Sequence, residues 1–264
     1  MKKFKNKKII IYVISIILIL IFISIWFVFH FLNRDYYSIE PREKNIQEAK
    51  EENKDYTVIG WLRVQGTNID HFLMGKTKYY PIDIEKYAWV QTNDNKYHNV
   101  LNIFGHNVLN LGSKPLKYDE MFTRFEEVVP FLYYDYAKDK KYIQLTMNGK
   151  DYIYQIVAVG IMPNYYAYDF PIGEYTKEQK QNYLDIIDKY SIYDYNVSKT
   201  IDDNYITLIT CTRFYGSKND SIYVSAKLVD NGKYPNYGIR KNKNYKKVED
   251  TLKDGVGNEE GEDI

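Results

Sequence analysis

Ile206-Thr207-Leu208-Ile209-Thr210-Cys211 is a run of β-branched and apolar residues that ends on the chain's one cysteine. Such a run forms a strand, because branched side chains pack well on a pleated, half-buried surface. It also places the thiol at a strand end, where a side chain leaves the sheet. In an exported protein a lone thiol has no internal disulfide partner and needs a chemical explanation. A catalytic nucleophile is the leading one.

Export is read from the N-terminus. Lys2, Lys3, Lys5, Lys7 and Lys8 precede an uncharged apolar stretch from Ile9 to Leu32. About 20 helical residues cross a hydrocarbon core of about 30 Å, whereas the apolar part of a cleaved signal peptide is about 7 to 15 residues long. No Ala-x-Ala-like cleavage site follows the stretch, so a cleaved signal peptide is the lesser alternative. A buried core helix is less consistent still, since Ile and Leu occupy every face without a polar stripe. The lysines before the span, against Arg34 close behind it, orient the N-terminus inside. The expected topology is a single-pass cell-membrane protein with a cytoplasmic N-terminus and its main domain outside the cell.

The expected organisation is a basic stub and membrane anchor over 1–33, a stalk or N-terminal helix over 34–55, one domain over 56–230, and a polar, disordered tail over 231–264. Lys plus Arg number 36 against 35 Asp plus Glu, which leaves no basic excess for nucleic-acid binding. Twenty-nine tyrosines favour strands. No cluster of Cys and His has metal-ligand spacing, and no cofactor or metal is expected.

Pro41 suits the first turn of a helix running to Asp55. Strands are expected over Thr57 to Val64, Asn68 to Met74 and Asn99 to Phe104, with a short helix near Asp119 to Phe125. Tyr142 to Met147 and Asp151 to Val159 flank Asn148-Gly149, the pair that best tolerates a type I′ hairpin turn. Glu174 to Tyr190 carries Tyr183, Ile186, Ile187 and Tyr190 at helical spacing, with a capping residue around Thr176. Tyr205 to Cys211 and Ser221 to Val229 complete the strands.

A cysteine needs a neighbouring imidazole or cation to raise its thiolate fraction at neutral pH. Of the four histidines, His30 lies in the apolar stretch, and His71 and His98 fall within predicted strands as structural residues. His106 follows Phe104-Gly105 at the end of an apolar strand, where its side chain can face a second strand end.

Thr207-Leu208-Ile209-Thr210-Cys211 resembles the Thr-Leu-x-Thr-Cys signature of the sortases, membrane-anchored cysteine transpeptidases of Gram-positive bacteria. Asn99 to Asn107, ending Phe-Gly-His-Asn, resembles their Tyr-Gly-His-Asn strand. The resemblance spans about Tyr56 to Val229. It implies a mainly β fold, an eight-stranded barrel with an N-terminal helix and a long helix between strands six and seven, the mark of class B, all preceded by one transmembrane helix.

It further implies that Cys211 attacks a threonine carbonyl in the C-terminal sorting signal of a surface protein or pilin and forms a thioacyl enzyme. An amine of a peptidoglycan precursor or a pilin lysine would then resolve it. His106 would act as general acid and then base. Thr207 and Thr210 are expected along the groove. Tyr165, Tyr166 and Tyr168 belong to the loop before the long helix and are left out of the site.

The sequence departs from the family at one place. Sortases carry an arginine at the start of the last strand, where Asp220 or Ser221 stands here. Arg213, two residues past the cysteine and on its face by strand alternation, is the candidate for the oxyanion contact. Arg63 and Arg124 lack motif support. The competing readings are a sortase-like binding module disabled by the missing arginine, and an L,D-transpeptidase, against which the absence of a Gly-Cys pair counts.

Overall fold

The computed structural model describes residues 2–33, 39–75, 88–92, 94–107, 125–212, 214–215, 219–229 and 238–254, with the side chains of 2–11, 28–33 and 252–254 left out. Eight strands close into a barrel: β1 (Val58–Val64), β2 (Asp70–Met74), β3 (Ala88–Val90), β4 (Val100–Phe104), β5 (Tyr142–Met147), β6 (Lys150–Pro163), β8 (Tyr205–Thr212) and β9 (Asp220–Val229). Their order around the wall is β1-β2-β3-β4-β8-β9-β6-β5. Closure leaves no open sheet edge. A separate two-stranded ribbon pairs β7 (Tyr193–Asp194) with β10 (Arg240–Lys241).

Side-chain alternation sorts the strands into two faces. Ile206 and Leu208 of β8 join Ile222, Val224 and Ala226 of β9 inside the barrel. Tyr205, Ile209 and Tyr223, one residue out of step, belong to a second cluster outside the wall. That outer cluster is covered by α5 (Lys177–Tyr190), which presents Tyr183, Leu184, Ile186 and Ile187 to it. Each fully buried Leu or Ile contributes about 1.5–3 kcal/mol relative to exposure, so a register slip that exchanged the two faces would forfeit both clusters.

The local signals read from the sequence take the forms expected of them. Asn148 and Gly149 have φ of 54° and 70°, the left-handed pair a type I′ turn requires. Thr176 caps α5 in a reciprocal box with Gln179, a device whose loss costs about 1 kcal/mol. The N-terminal helix is α2 (Glu43–Glu52), shorter than its predicted span, and buries Ile46 and Ala49.

Other regions differ from expectation. Residues 119–124 lie outside the described residues, and the chain resumes as a fully buried 3₁₀ helix, Phe125–Leu132, followed by the single turn α3 (Tyr134–Ala137). His98 sits before β4 rather than in it, held between Asp94 at 2.8 Å and Glu174 at 3.4 Å. A short helix, α4 (Asn164–Asp169), follows β6 directly, with Pro163 as its extended N-cap residue. The tail is not featureless either. It forms β10 and α6 (Tyr245–Asp254), because Ile239, Tyr245 and Val248 bury themselves in the barrel-side core.

The N-terminal helix α1 (Lys2–Asn33) belongs to a compact unit of its own. Its described side chains, 12–27, are all exposed. Among the described residues no helix is long and apolar enough to cross a membrane.

Gly105 follows β4 where the Phe125 ring presses against the backbone, and a Cβ there would overlap that ring. Gly105→Ala is expected to destabilise the fold by about 1–3 kcal/mol in urea unfolding. Combined with Phe125→Ala it should cost less than the sum of the two single changes. Full additivity would show that the glycine is not required by this contact.

Candidate active site

The site is built by a parallel pairing between strands far apart in sequence. β4 and β8 run side by side in register from Val100 opposite Tyr205 to Phe104 opposite Ile209. Two further steps bring His106 level with Cys211. The pairing continues past the end of β4: Gly105 N–H donates to the Ile209 carbonyl at 3.2 Å, and the Thr210 hydroxyl donates to the Gly105 carbonyl at 2.8 Å. The Asn107 amide then donates to the Cys211 carbonyl at 3.0 Å. These bonds hold two strand ends at the interstrand spacing of about 4.8 Å.

Both functional side chains share the outer face. Val100 and Phe104 belong to the outer cluster with Tyr205 and Ile209, and alternation carries His106 and Cys211 to the same side. The thiol is free and exposed. The His106 ring lies 5.0 Å from the Trp89 ring at 53°, and Trp89 itself stacks on Phe104 at 6.3 Å. Trp89, from the three-residue strand β3, thus forms a side wall that sets the imidazole plane.

The opposite wall comes from α4. Tyr168 stacks almost parallel on Phe104, with centroids 6.2 Å apart, and its phenol interacts electrostatically with Cys211. Burial, followed by the charge and hydrogen bonding of Cys211, pushes the Tyr168 phenol up from its ordinary value. It therefore stays protonated at neutral pH and can donate to a thiolate. Outside α1, the exposed large apolar side chains among the described residues are Tyr165, Tyr168 and Ile172. All three lie on this one segment beside the thiol, and such a local concentration marks a contact surface.

At the level of sequence Tyr168 does not stand out, because tyrosine is so common in this chain. Its position on the segment between the sixth and seventh barrel strands was the signal that could have singled it out. Trp89 carried no comparable signal, since its strand is too short to read.

The expectation that Thr207 and Thr210 line the groove does not hold. Thr207 is wholly buried, its hydroxyl bonded to Tyr183 at 2.7 Å and Ser225 at 3.1 Å. Thr210 is buried too, and its hydroxyl is used in pinning β4 to β8. At the position of the family arginine, Ser221 stands opposite Cys211 and donates its hydroxyl to the Asn164 side-chain oxygen of α4, while Asp220 stands opposite Thr212. Arg213 lies outside the described residues, as does Arg124. Arg63 is on β1, three strands from β4 around the wall, paired with Glu40 at 2.5 Å. His71 is buried in β2 with Nδ1 3.0 Å from the Phe72 carbonyl. Among the described residues no group of three His, Cys, Asp or Glu side chains can hold a metal ion.

No protein-family model matches the chain. The curated sortase B of Staphylococcus aureus (strain NCTC 8325 / PS 47) is 24% identical over 199 residues, spanning 72% of this chain and 76% of that protein. The X-ray structure of Clostridium perfringens sortase B superposes with a TM-score of 0.55 at 24% identity, over 71% of this chain and all of that one. A Staphylococcus aureus sortase B–substrate complex gives a TM-score of 0.55 at 16% identity, over 78% of this chain and 91% of that one. The barrel is therefore the sortase fold. Both the curated relative and these solved structures are sortase B proteins, so among sortases the likeness is to class B.

Tyr168→Phe removes the hydroxyl while keeping the stack on Phe104. A net hydrogen bond contributes about 0.5–1.5 kcal/mol, so the rate of Cys211 alkylation by iodoacetamide at pH 7 should change by about two- to tenfold. An unchanged rate would show that the hydroxyl does not serve the thiolate.

Proposed function

We propose that the chain is a membrane-anchored, class B sortase-like transpeptidase that cleaves a sorting signal and passes the acyl group to an amine. The observation that carries this reading is the meeting of His106 and Cys211 on one exposed face at the ends of β4 and β8. The remaining geometry supports it: an aromatic wall from Trp89, Phe104 and Tyr168 borders the thiol without closing over it.

In the first half-reaction the Cys211 thiolate adds to the carbonyl carbon of the threonine at the cleavage point. The tetrahedral oxyanion collapses as His106 gives its proton to the departing amine, leaving a thioester on the sulfur. In the second half, neutral His106 takes a proton from the incoming amine, which attacks the thioester and releases the thiolate, restoring the starting pair. The acceptor is an amine of a peptidoglycan precursor or a pilin lysine. Arg213, next along the chain from the strand that ends at Thr212, is the residue assigned to the oxyanion, in place of the arginine that Asp220 and Ser221 do not provide.

The apolar N-terminal stretch of the sequence, Ile9 to Leu32, serves as the anchor. With the N-terminal lysines inside, it holds the catalytic barrel outside the cell membrane, where the surface protein and cell-wall precursor are met.

The test uses the full chain, a peptide library with a fixed central threonine, and triglycine as the amine, since one sortase B structure is a complex with triglycine. Intact mass should show an acyl adduct that maps to Cys211, is absent from Cys211→Ala, and is discharged by triglycine. His106→Ala should cut turnover by at least about 100-fold. A thiol that iodoacetamide alkylates but no peptide acylates would favour the disabled binding module. Arg213→Ala should cost at least about tenfold, or about 1.4 kcal/mol of barrier. A loss under about threefold, roughly 0.7 kcal/mol, would remove Arg213 from the oxyanion site.

A further inference from the structure

Two side chains, one from each end of α4, straddle the nucleophile. Asn164 and Tyr168 are four residues apart and so share a face of that helix. Tyr168 stacks on Phe104 of β4. Asn164 engages the strand on the other side of β8: its side-chain oxygen accepts from the Ser221 hydroxyl, and its backbone N–H donates to the Asn219 carbonyl at 2.7 Å, just before β9. Because β8 lies between β4 and β9 in the wall, α4 crosses over the end of β8, the end that carries Cys211.

The strand register brings the Asn164 anchor close to the sulfur. Ser221 is the direct partner of Cys211 across the antiparallel β8–β9 pair, and side chains at such positions share a face with Cβ atoms about 4.5–5.5 Å apart. Asn164 is one hydrogen bond further on. The thiol therefore has His106 on its β4 side and the Ser221–Asn164 pair on its β9 side, at one level of the barrel.

Ser221 is only 2% exposed, so its hydroxyl is withdrawn from water and committed to Asn164. That bond occupies the amide oxygen and fixes the side chain's orientation. The amide nitrogen, which carries two N–H groups and accepts nothing, is turned away from Ser221. Acyl transfer to Cys211 converts a neutral carbonyl oxygen into an oxyanion beside the sulfur, and a donor oriented before that charge appears meets it without reorganisation.

We infer that Asn164 is a catalytic residue whose side-chain amide donates to the oxyanion, and that Ser221 is a positioning residue that orients this amide. This rests on Cys211 being the nucleophile and stands apart from the part assigned to Arg213. Both side chains are neutral, so they serve the charge that develops on oxygen and leave the ionisation of the sulfur as it is.

The experiment uses the full chain and two reagents that Cys211 attacks by different routes. With p-nitrophenyl acetate the C–S bond forms at the carbonyl carbon, the carbonyl electron pair moves to oxygen, and collapse of that oxyanion expels p-nitrophenolate and leaves acetyl-Cys211. With iodoacetamide the thiolate displaces iodide directly and no oxyanion forms. In Asn164→Ala acetylation should slow by at least about fivefold, while alkylation keeps its pH profile and its rate within about twofold. Ser221→Ala should show the same split at about threefold or more, and Ser221→Thr, which keeps the hydroxyl, should return to within about twofold of the parent. For a peptide that acylates Cys211, Asn164→Ala should lower kcat and leave KM unchanged.

Unchanged acetylation in Asn164→Ala would overturn the inference, and so would equal slowing of acetylation and alkylation, which would assign Asn164 to the packing of α4. A threonine variant no faster than Ser221→Ala would remove the orienting role of Ser221. Acetylation needs no sorting signal, so a chain that accepts acetyl but no peptide would show failure of the transpeptidase reading separately.

Discussion

The parallel pairing of β4 with β8 is the constraint on which the rest of the structure depends. Parallel neighbours cannot be joined by a tight turn, and here a hundred residues intervene, including the β5–β6 hairpin and the helices α4 and α5. The pairing requires both strands to end at the same level of the barrel, which brings the histidine end of one beside the cysteine end of the other. The chemistry follows from that register, and a slip of one residue would turn either side chain from the outer face to the interior. Gly105 permits the close approach of the Phe125 ring just before the histidine, while Thr210 and Asn107 lock the two strand ends beyond the last regular ladder bond.

The outer face shows how one surface serves both stability and reaction. Its lower part is sealed by α5, where Tyr183 bonds to Thr207, and Tyr223 donates to the Ile187 carbonyl at 2.6 Å. Its upper part is left open, bordered by Trp89 on one side and α4 on the other. Threonines that looked like groove residues turn out to lie in the sealed part or in the strand lock. The hydroxyl that does interact with Cys211 comes from Tyr168, on a helix of six residues.

Much of this was legible in the sequence where the signal is local. Asn148-Gly149 demanded a hairpin, Thr176 with Gln179 demanded a helix start, and the run from Ile206 to Cys211 demanded a strand ending on the thiol. What stayed hidden depends on tertiary contact. β3 is only Ala88-Trp89-Val90 and has no period to read. Tyr168 is indistinguishable by composition from the other tyrosines, and only its stacking on Phe104 selects it. The tail reads as polar because Ile239, Tyr245 and Val248 are spread thinly among charges, yet each finds a place in the core. Its helix is held by packing rather than by propensity.

The central claim is that His106 and Cys211 face each other across the β4–β8 register, and it can be tested without any substrate. Because Cys211 is the only cysteine in the chain, His106→Cys creates one possible intramolecular pair, with Cα atoms at about the interstrand spacing and within the range a disulfide spans. Mild oxidation of the full-length variant should give a monomer that has lost both thiols and about 2 Da, with a single linked peptide joining the ends of β4 and β8. A monomer that keeps both thiols under conditions where added glutathione oxidises, or linkage only between chains, would contradict the account.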